Sequence, residues 1–520
     1  MIGASILVSL LTLVAGLTSF VNQLVMARLF GASMDMDAYL IAISIPLFVS
    51  GVLSAVLSYS LVPVLMRHNA DPVTYRRFAG LLLISLIVVA LVIAGLGFIA
   101  APLQIGTLGD SLSASAQRNA IQIARIAWLT VALTLVVGHL NAMHNAVRIF
   151  LLPVAVNILP LVGMIAAGLA FGSAYGPLAI AWGMFAGYLL AIPVLLRRTR
   201  SALDLSTQCL RSWKDVTEYL IRTPLMLLAM LCFTVYQSID AYWAPQVGTG
   251  NLAYLGYSQR ILIAVGSLVI AGPSAVLMPR LAEAHAEGRV TDLLHDTMRT
   301  VRTVIAFALP AALFISLLAE PLVRLCFERG AFDRQATRGV AGVLPLMMPG
   351  MIAMLCVVVL FRALFSRHDV MRAALLGILA TVLYFALSGL LSHPLGVKGI
   401  ALAYALSWWL VLTLTALSLW RGHRTLLLCR ENRRFALRLI VSAAAMGVVV
   451  IGGRFWIDAT GAGSGFLLLQ LGLIAVVAGS VYFTVAIRIL RIDDVRLIYD
   501  FLLSRIGAFL LRSNIGISRR

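Results

Sequence analysis

Few residues in this chain could do chemistry, and most of them sit where charge is expensive. Three cations, Arg125, Arg222 and Arg260, lie inside long apolar stretches. An ionisable group in such a stretch usually faces a partner or a watery cavity, so each marks a candidate site. Arg260 falls in the run YSQRI, in the first third of its stretch. Its planar fork of donors could hold a phosphate or pyrophosphate bidentately, or it could reach back to the interface or pair with a carboxylate. Asp240, preceded by Gln237 and Ser238, could bind a proton or a sodium ion, or pair with Arg260 across a helix hairpin. Glu218 and Arg222 have the i,i+4 spacing of an interfacial ion pair. Arg125 lies one or two turns into its span, within reach of lipid headgroups.

Uncharged groups come next. Asn22 and Gln23 could line a cavity or bridge helices, whereas Asn157 reads as a bridge. His139, Asn141 and His144 form the one local cluster with a catalytic look. The two histidines are five apart, on different helix faces, and no carboxylate accompanies them, so neither a metal nor an acid–base site is expected. Five cysteines without a CxxC pair suggest neither a disulfide frame nor a zinc site. No cofactor is expected, and any coupling would use Na+, H+ or the membrane potential.

The elements that must position these groups are membrane helices. At 520 residues, 61% apolar and 12% charged, with mean hydropathy +0.99, the chain is far from the composition of soluble domains. Fourteen stretches satisfy the roughly 20-residue requirement of a bilayer core: 5–27, 38–64, 79–101, 119–142, 149–171, 176–196, 218–243, 252–279, 299–319, 341–362, 371–391, 398–420, 436–456 and 464–487. The first is expected to be a retained helix and not a cleaved signal. With the N-terminus inside, alternate loops and the tail hold 29 of the 40 Lys and Arg residues and the opposite loops hold 8. That is the positive-inside pattern of fourteen helices with both termini cytoplasmic. The net charge of +19 is therefore topological, and no nucleic-acid partner is expected. Pro46, Pro153, Pro160, Pro224, Pro273 and Pro349 fall within spans, where each frees a carbonyl and so should face other helices or water.

A repeat organises the chain. ARLFG at 27–31 returns as APQVG at 244–248, AYL at 38–40 as AYL at 253–255, and Pro63 as Pro279, at offsets of 217, 215 and 216. The reading is two parallel six-helix lobes, 1–200 and 216–425, joined by a basic linker at 201–215. Two further helices occupy 426–490, and an amphipathic cytoplasmic tail occupies 491–520. The fold class is thus an all-α polytopic membrane protein, and a monomer is expected.

Several motifs resemble the MurJ/MviN family, lipid II flippases of the multidrug/oligosaccharidyl-lipid/polysaccharide exporter superfamily. They are ARLFGA at 27–32, DAY at 37–39, LVPVL at 61–65, VLMPRL at 276–281, EPLVRLCFERGAFD at 320–333 and LFSRHD at 364–369. The resemblance implies a V-shaped pair of lobes, a cationic cavity, a groove for a lipid tail on the last two helices, and residence in a bacterial inner membrane. It implies alternating access for a polyprenyl-pyrophosphate-linked saccharide, lipid II or a related envelope or exopolysaccharide precursor. Members place arginines where this chain has Gly16, Asn22 and Gln23, and cationic residues where it has Ser44 and Ser50. An AspArg pair becomes Gln259 and Arg260. The substrate-binding set carried over is Arg260, Gln259, Asn22, Gln23 and Ser50, with Asp240 as the ion-coupling candidate. The alternatives are a cation-coupled exporter of small molecules, a membrane saccharide ligase or polymerase, for which the outward loops are short, and a non-transporting scaffold.

Overall fold

The computed structural model describes residues 2–57, 61, 64–66, 71–204, 206–219, 221, 233–286, 290–367, 369–421, 430–460 and 463–490. Helices account for almost all of them: α1 (Ile2–Phe30), α2 (Met34–Val56), α3 (Pro72–Leu108), α4 (Ala114–Ala146), α5 (Leu151–Val156), α6 (Leu159–Tyr175), α7 (Pro177–Thr199) and α8 (Tyr236–Trp243). There follow α9 (Asn251–Ala286), α10 (Val290–Leu317), α11 (Ala319–Phe327), α12 (Arg334–Ser366), α13 (Val370–Leu395), α14 (Val397–Leu419), α15 (Arg430–Thr460) and α16 (Ser464–Thr484). Among the described residues 13 helical segments are long and apolar enough to cross a membrane, which makes this a multi-pass membrane protein. The expected seventh span, 218–243, includes residues 220 and 222–232, which lie outside the described residues. So do Arg222, Pro224 and the tail beyond Leu490.

Two compact units are present. One comprises Met1–Arg260, Cys326–Val343 and Val370–Tyr404, and the other Ile261–Leu325, Leu344–Asp369 and Ala405–Arg520. In the first unit α4 packs against α2, α3 and α7. Its core gathers Leu57, Phe78, Leu82, Leu135, Leu140 and Leu195. The α6–α7 hairpin closes on glycine: a Cβ at Gly183 would stand 2.2 Å from Gly163 O, so only bare backbone fits there. The expected fifth span is broken at Asn157, where α5 gives way to α6. Asn141 donates to Asn157 Oδ1 at 3.2 Å, so Asn157 does bridge to α4. His139 and His144 are buried in α4, the latter with Nδ1 2.8 Å from Leu140 O, and no metal-binding group of His, Cys, Asp or Glu exists among the described residues.

Prolines explain much of the polar architecture. Pro46, inside α2, has no N–H to give the carbonyl of Ala42, four residues earlier. In hydrocarbon that oxygen must find another donor. Gln104 of α3 supplies it, with Nε2 3.0 Å from Ala42 O and 3.3 Å from Ile41 O, while its Oε1 accepts from Trp128 Nε1 of α4 at 3.1 Å. One buried amide thus ties three helices together. The second unit repeats the device: Pro310 in α10 frees Ala306 O, which accepts from Tyr482 OH of α16 at 2.5 Å. Around that bond pack Leu439, Met446, Val450 and Leu471.

Replacing Gln104 by Leu should therefore cost about 1–2 kcal/mol, the range of interhelical hydrogen bonds in membranes. Thermal unfolding in detergent should show a smaller penalty in a Pro46→Ala background, where the helix regains its own donor. Equal penalties in both backgrounds would contradict the assignment.

Candidate substrate cavity and a buried carboxylate

The helix that carries Arg260 is set in place by residues of the first unit. Ser33 caps α2, accepting from Met36 N, and the first turn of α2 presents Asp37. Asp37 is 1% exposed, and its carboxylate accepts from Gly250 N at 2.5 Å and Ala253 N at 2.9 Å. Those N–H groups open α9, so the negative charge sits on the positive end of the helix dipole. Two turns along, Tyr257 OH donates to Gly31 O at 2.9 Å. Gly31 has φ +56, and a Cβ there would lie 2.2 Å from Ala331 O. Ala331 N in turn donates to Arg28 O at 2.9 Å. The motifs at 27–32, 37–39 and 320–333 are thus one interlocked joint, and the register it imposes on α9 places Arg260 one turn past Tyr257. In both copies of the repeat a glycine with positive φ, +56 at Gly31 and +132 at Gly248, stands three residues before a helix begins.

Arg260 opens onto a cavity of about 190 Å³ within this unit. Asn22, Gln23 and Ser50 line it, so four of the five expected binding residues come together there. Arg260 is the only Asp, Glu, Lys or Arg among the lining residues. Its guanidinium makes no ion pair among the described residues. Ser50, Thr130 and Thr134 turn their hydroxyls back to carbonyls of their own helices, at 3.0, 2.8 and 2.7 Å. Asn22 Nδ2 meets only sulfur, Met26 at 3.9 Å and Met164 at 3.8 Å, and its Oδ1 is buried without a partner among the described residues. The groups with unused capacity include the Arg260 guanidinium and the Asn22 amide. Met26, Met36, Met164 and Met184 also line the cavity, and sequence reasoning did not single them out. Methionine in an apolar span carries no signal of its own, since it fills cores equally well.

Gln259 does not line the cavity. Successive residues on a helix point about 100° apart, and Gln259 Nε2 donates to Asp240 Oδ2. Asp240 Oδ1 accepts from Tyr384 OH of α13. Both oxygens are thus engaged by hydroxyl and amide donors, and Asp240 makes no ion pair with Arg260 among the described residues. Tyr236 stacks on Tyr384 with centroids 4.4 Å apart, and Tyr404 meets both edge-on at 5.3 and 6.2 Å. The result is a carboxylate 1% exposed inside a cage of tyrosines, a place where gain or loss of one cation changes the local charge completely.

Comparison with known proteins agrees with this fold. A family model described as "Lipid II flippase MurJ" matches residues 26–471. The "Probable lipid II flippase MurJ" of Vibrio cholerae is 25% identical over 479 residues, covering 87% of this chain and 88% of that protein. Its counterpart in Haemophilus influenzae is 27% identical over 471 residues, covering 85% and 90%. Among solved structures, a lipid II flippase MurJ in an inward closed conformation superposes with TM-score 0.76 at 17% identity, over 93% of this chain and 99% of that one. An inward-facing MATE-family multidrug transporter of the MOP superfamily gives 0.66 at 13% identity, over 80% and 99%.

Asp37→Ala would strand two buried N–H groups, each costing about 1–3 kcal/mol. A clear fall in the unfolding temperature is expected, smaller for Asp37→Asn, which keeps an acceptor. An unchanged melting curve for Asp37→Ala would contradict the joint described above.

Proposed function

The chain belongs to the lipid II flippase MurJ family, and from that premise we propose that it carries a polyprenyl-pyrophosphate-linked saccharide across a bacterial inner membrane by alternating access. The observation that carries this reading is Arg260: a charged fork without an ion partner among the described residues, in a cavity it shares with Asn22, Gln23 and Ser50. A guanidinium matches two phosphate oxygens at once and stays charged in any membrane environment. At an effective dielectric near 20, opposite unit charges about 4 Å apart attract by about 4 kcal/mol. One such contact retains a phosphate without holding it too tightly for release.

The cargo is lipid II or a related envelope precursor. A cavity of about 190 Å³ is below the 300–1,000 Å³ of typical small-molecule sites, so it fits the phosphate end of the headgroup and not the whole saccharide. In this account the polyprenyl tail stays in lipid along α15 and α16, the lobes 1–200 and 216–425 exchange access, and both termini lie in the cytoplasm. The work is transport by a monomer, with no covalent step. Asp240, with Tyr384 and Gln259, is the proposed ion-coupling group, exchanging a proton or a sodium ion as access alternates. The caged carboxylate and the fold likeness to a MATE transporter favour one second reading, a cation-coupled exporter of small molecules.

Complementation of a strain depleted of its lipid II flippase separates the two. Rescue by the wild-type chain, lost in Arg260→Ala at equal membrane abundance, is expected. Failure of the wild type to rescue, together with coupled uptake of a fluorescent drug by inverted vesicles, would replace flipping with small-molecule export. Asp240→Asn should abolish rescue while leaving the protein in the membrane; full rescue would remove Asp240 from the coupling role.

A further inference from the structure

We infer that the membrane-facing seam between α3 and α4 binds a phospholipid, with Arg125 holding its phosphate. Arg125 is eleven residues into α4, about 16 Å along the helix from Ala114. It is half-buried, its Nε is enclosed without a hydrogen-bond partner, and no carboxylate lies within ion-pair distance among the described residues. The guanidinium lies over the ring of Phe98 on α3, 5.0 Å from the centroid. A cation on an aromatic face leaves its edge free to donate outward.

The surroundings face lipid. On α3, Phe98 is 37% exposed, Ile99 77% and Leu103 71%. On α4 the exposed stripe at i−7, i−3 and i+4 from Arg125 reads Arg118, Gln122 and Leu129. Polar side chains therefore lead from the α3–α4 turn down to Arg125, and apolar ones continue past it. That is the gradient met by a phospholipid, whose phosphate sits at the interface and whose acyl chains run inward. An intramembrane cation with unspent donors needs an anion, and here the anion that can approach laterally is a lipid phosphate. The site is separate from the Arg260 cavity and does not depend on the cargo assignment.

A competing structural role exists. Pro102 removes the helix hydrogen bond that would end on Phe98 O, and Arg125 could serve that carbonyl when the helices breathe. Lipid binding and helix support give different results. Native mass spectrometry of the full-length protein, titrated with phosphatidylglycerol, should show one more retained lipid in wild type than in Arg125→Gln, or at least tenfold weaker binding of that lipid in the variant. Arg125→Lys, which keeps the charge and loses the fork, should fall between them, and it carries the test if Arg125→Gln does not fold. Binding of a phosphate-free galactolipid should be the same in all three. Equal phosphatidylglycerol retention by wild type and variants would overturn the proposal. So would thermal stabilisation by inorganic phosphate as large as that by the lipid, or a loss of stability in Arg125→Gln with unchanged lipid count.

Discussion

In hydrocarbon a backbone carbonyl or amide without a partner costs several kcal/mol, and this structure is organised around meeting that demand. Pro46 and Pro310 each break a helical hydrogen-bond ladder, and each freed carbonyl is answered from another helix, Ala42 by Gln104 and Ala306 by Tyr482. The same demand at the start of α9 is met by Asp37, which takes the N–H groups of Gly250 and Ala253. These contacts convert local defects into long-range ties. A proline that would only weaken a lipid-facing helix here fixes the position of a neighbour.

That demand also sorts the polar residues. Gln104, Tyr482 and Asp37 are occupied with backbone, and Asn157 with the Asn141 side chain, so their places in the sequence are explained by what they satisfy. Asp240 is engaged by Tyr384 and Gln259, yet these partners are side chains, so the carboxylate can change its charge without breaking a helix. Arg260 and Asn22 have capacity left over and share one cavity. In the proposed reading these two groups are the ones available to a ligand.

Much of this was legible in the sequence. Hydropathy located the spans, and thirteen of the fourteen reappear among the described residues as helices of sufficient length. The family motifs contain Asp37, Gly31 and Ala331, but the joint they form is not readable from them, because hydrogen bonds to backbone N–H leave no side-chain partner to recognise. Asn22, Gln23, Ser50 and Arg260, expected as binding residues, line one cavity, and their role in binding is a proposal. Gln259 enters the expected binding set through the resemblance, as one half of the family's AspArg pair, and in the structure its amide donates to Asp240. Tyr384 lies 144 residues from Asp240, so no local spacing could pair them. Gln104 does carry a signal: a proline-broken span requires a donor, and a lone glutamine at the end of the next span is a candidate for it. The extents of helices were the least readable feature, since α3 runs from Pro72 to Leu108 where only 79–101 is required to cross a bilayer.

The account reduces to a flippase that grips the phosphate of its cargo with a single arginine. Purified protein reconstituted into vesicles with a fluorescent lipid II in the inner leaflet tests this directly, by the rate at which the label becomes accessible to an impermeant quencher. The account predicts protein-dependent exposure that falls at least tenfold in Arg260→Gln and recovers in part in Arg260→Lys. Exposure at the wild-type rate in Arg260→Gln, or none above protein-free vesicles with the wild type, would contradict it.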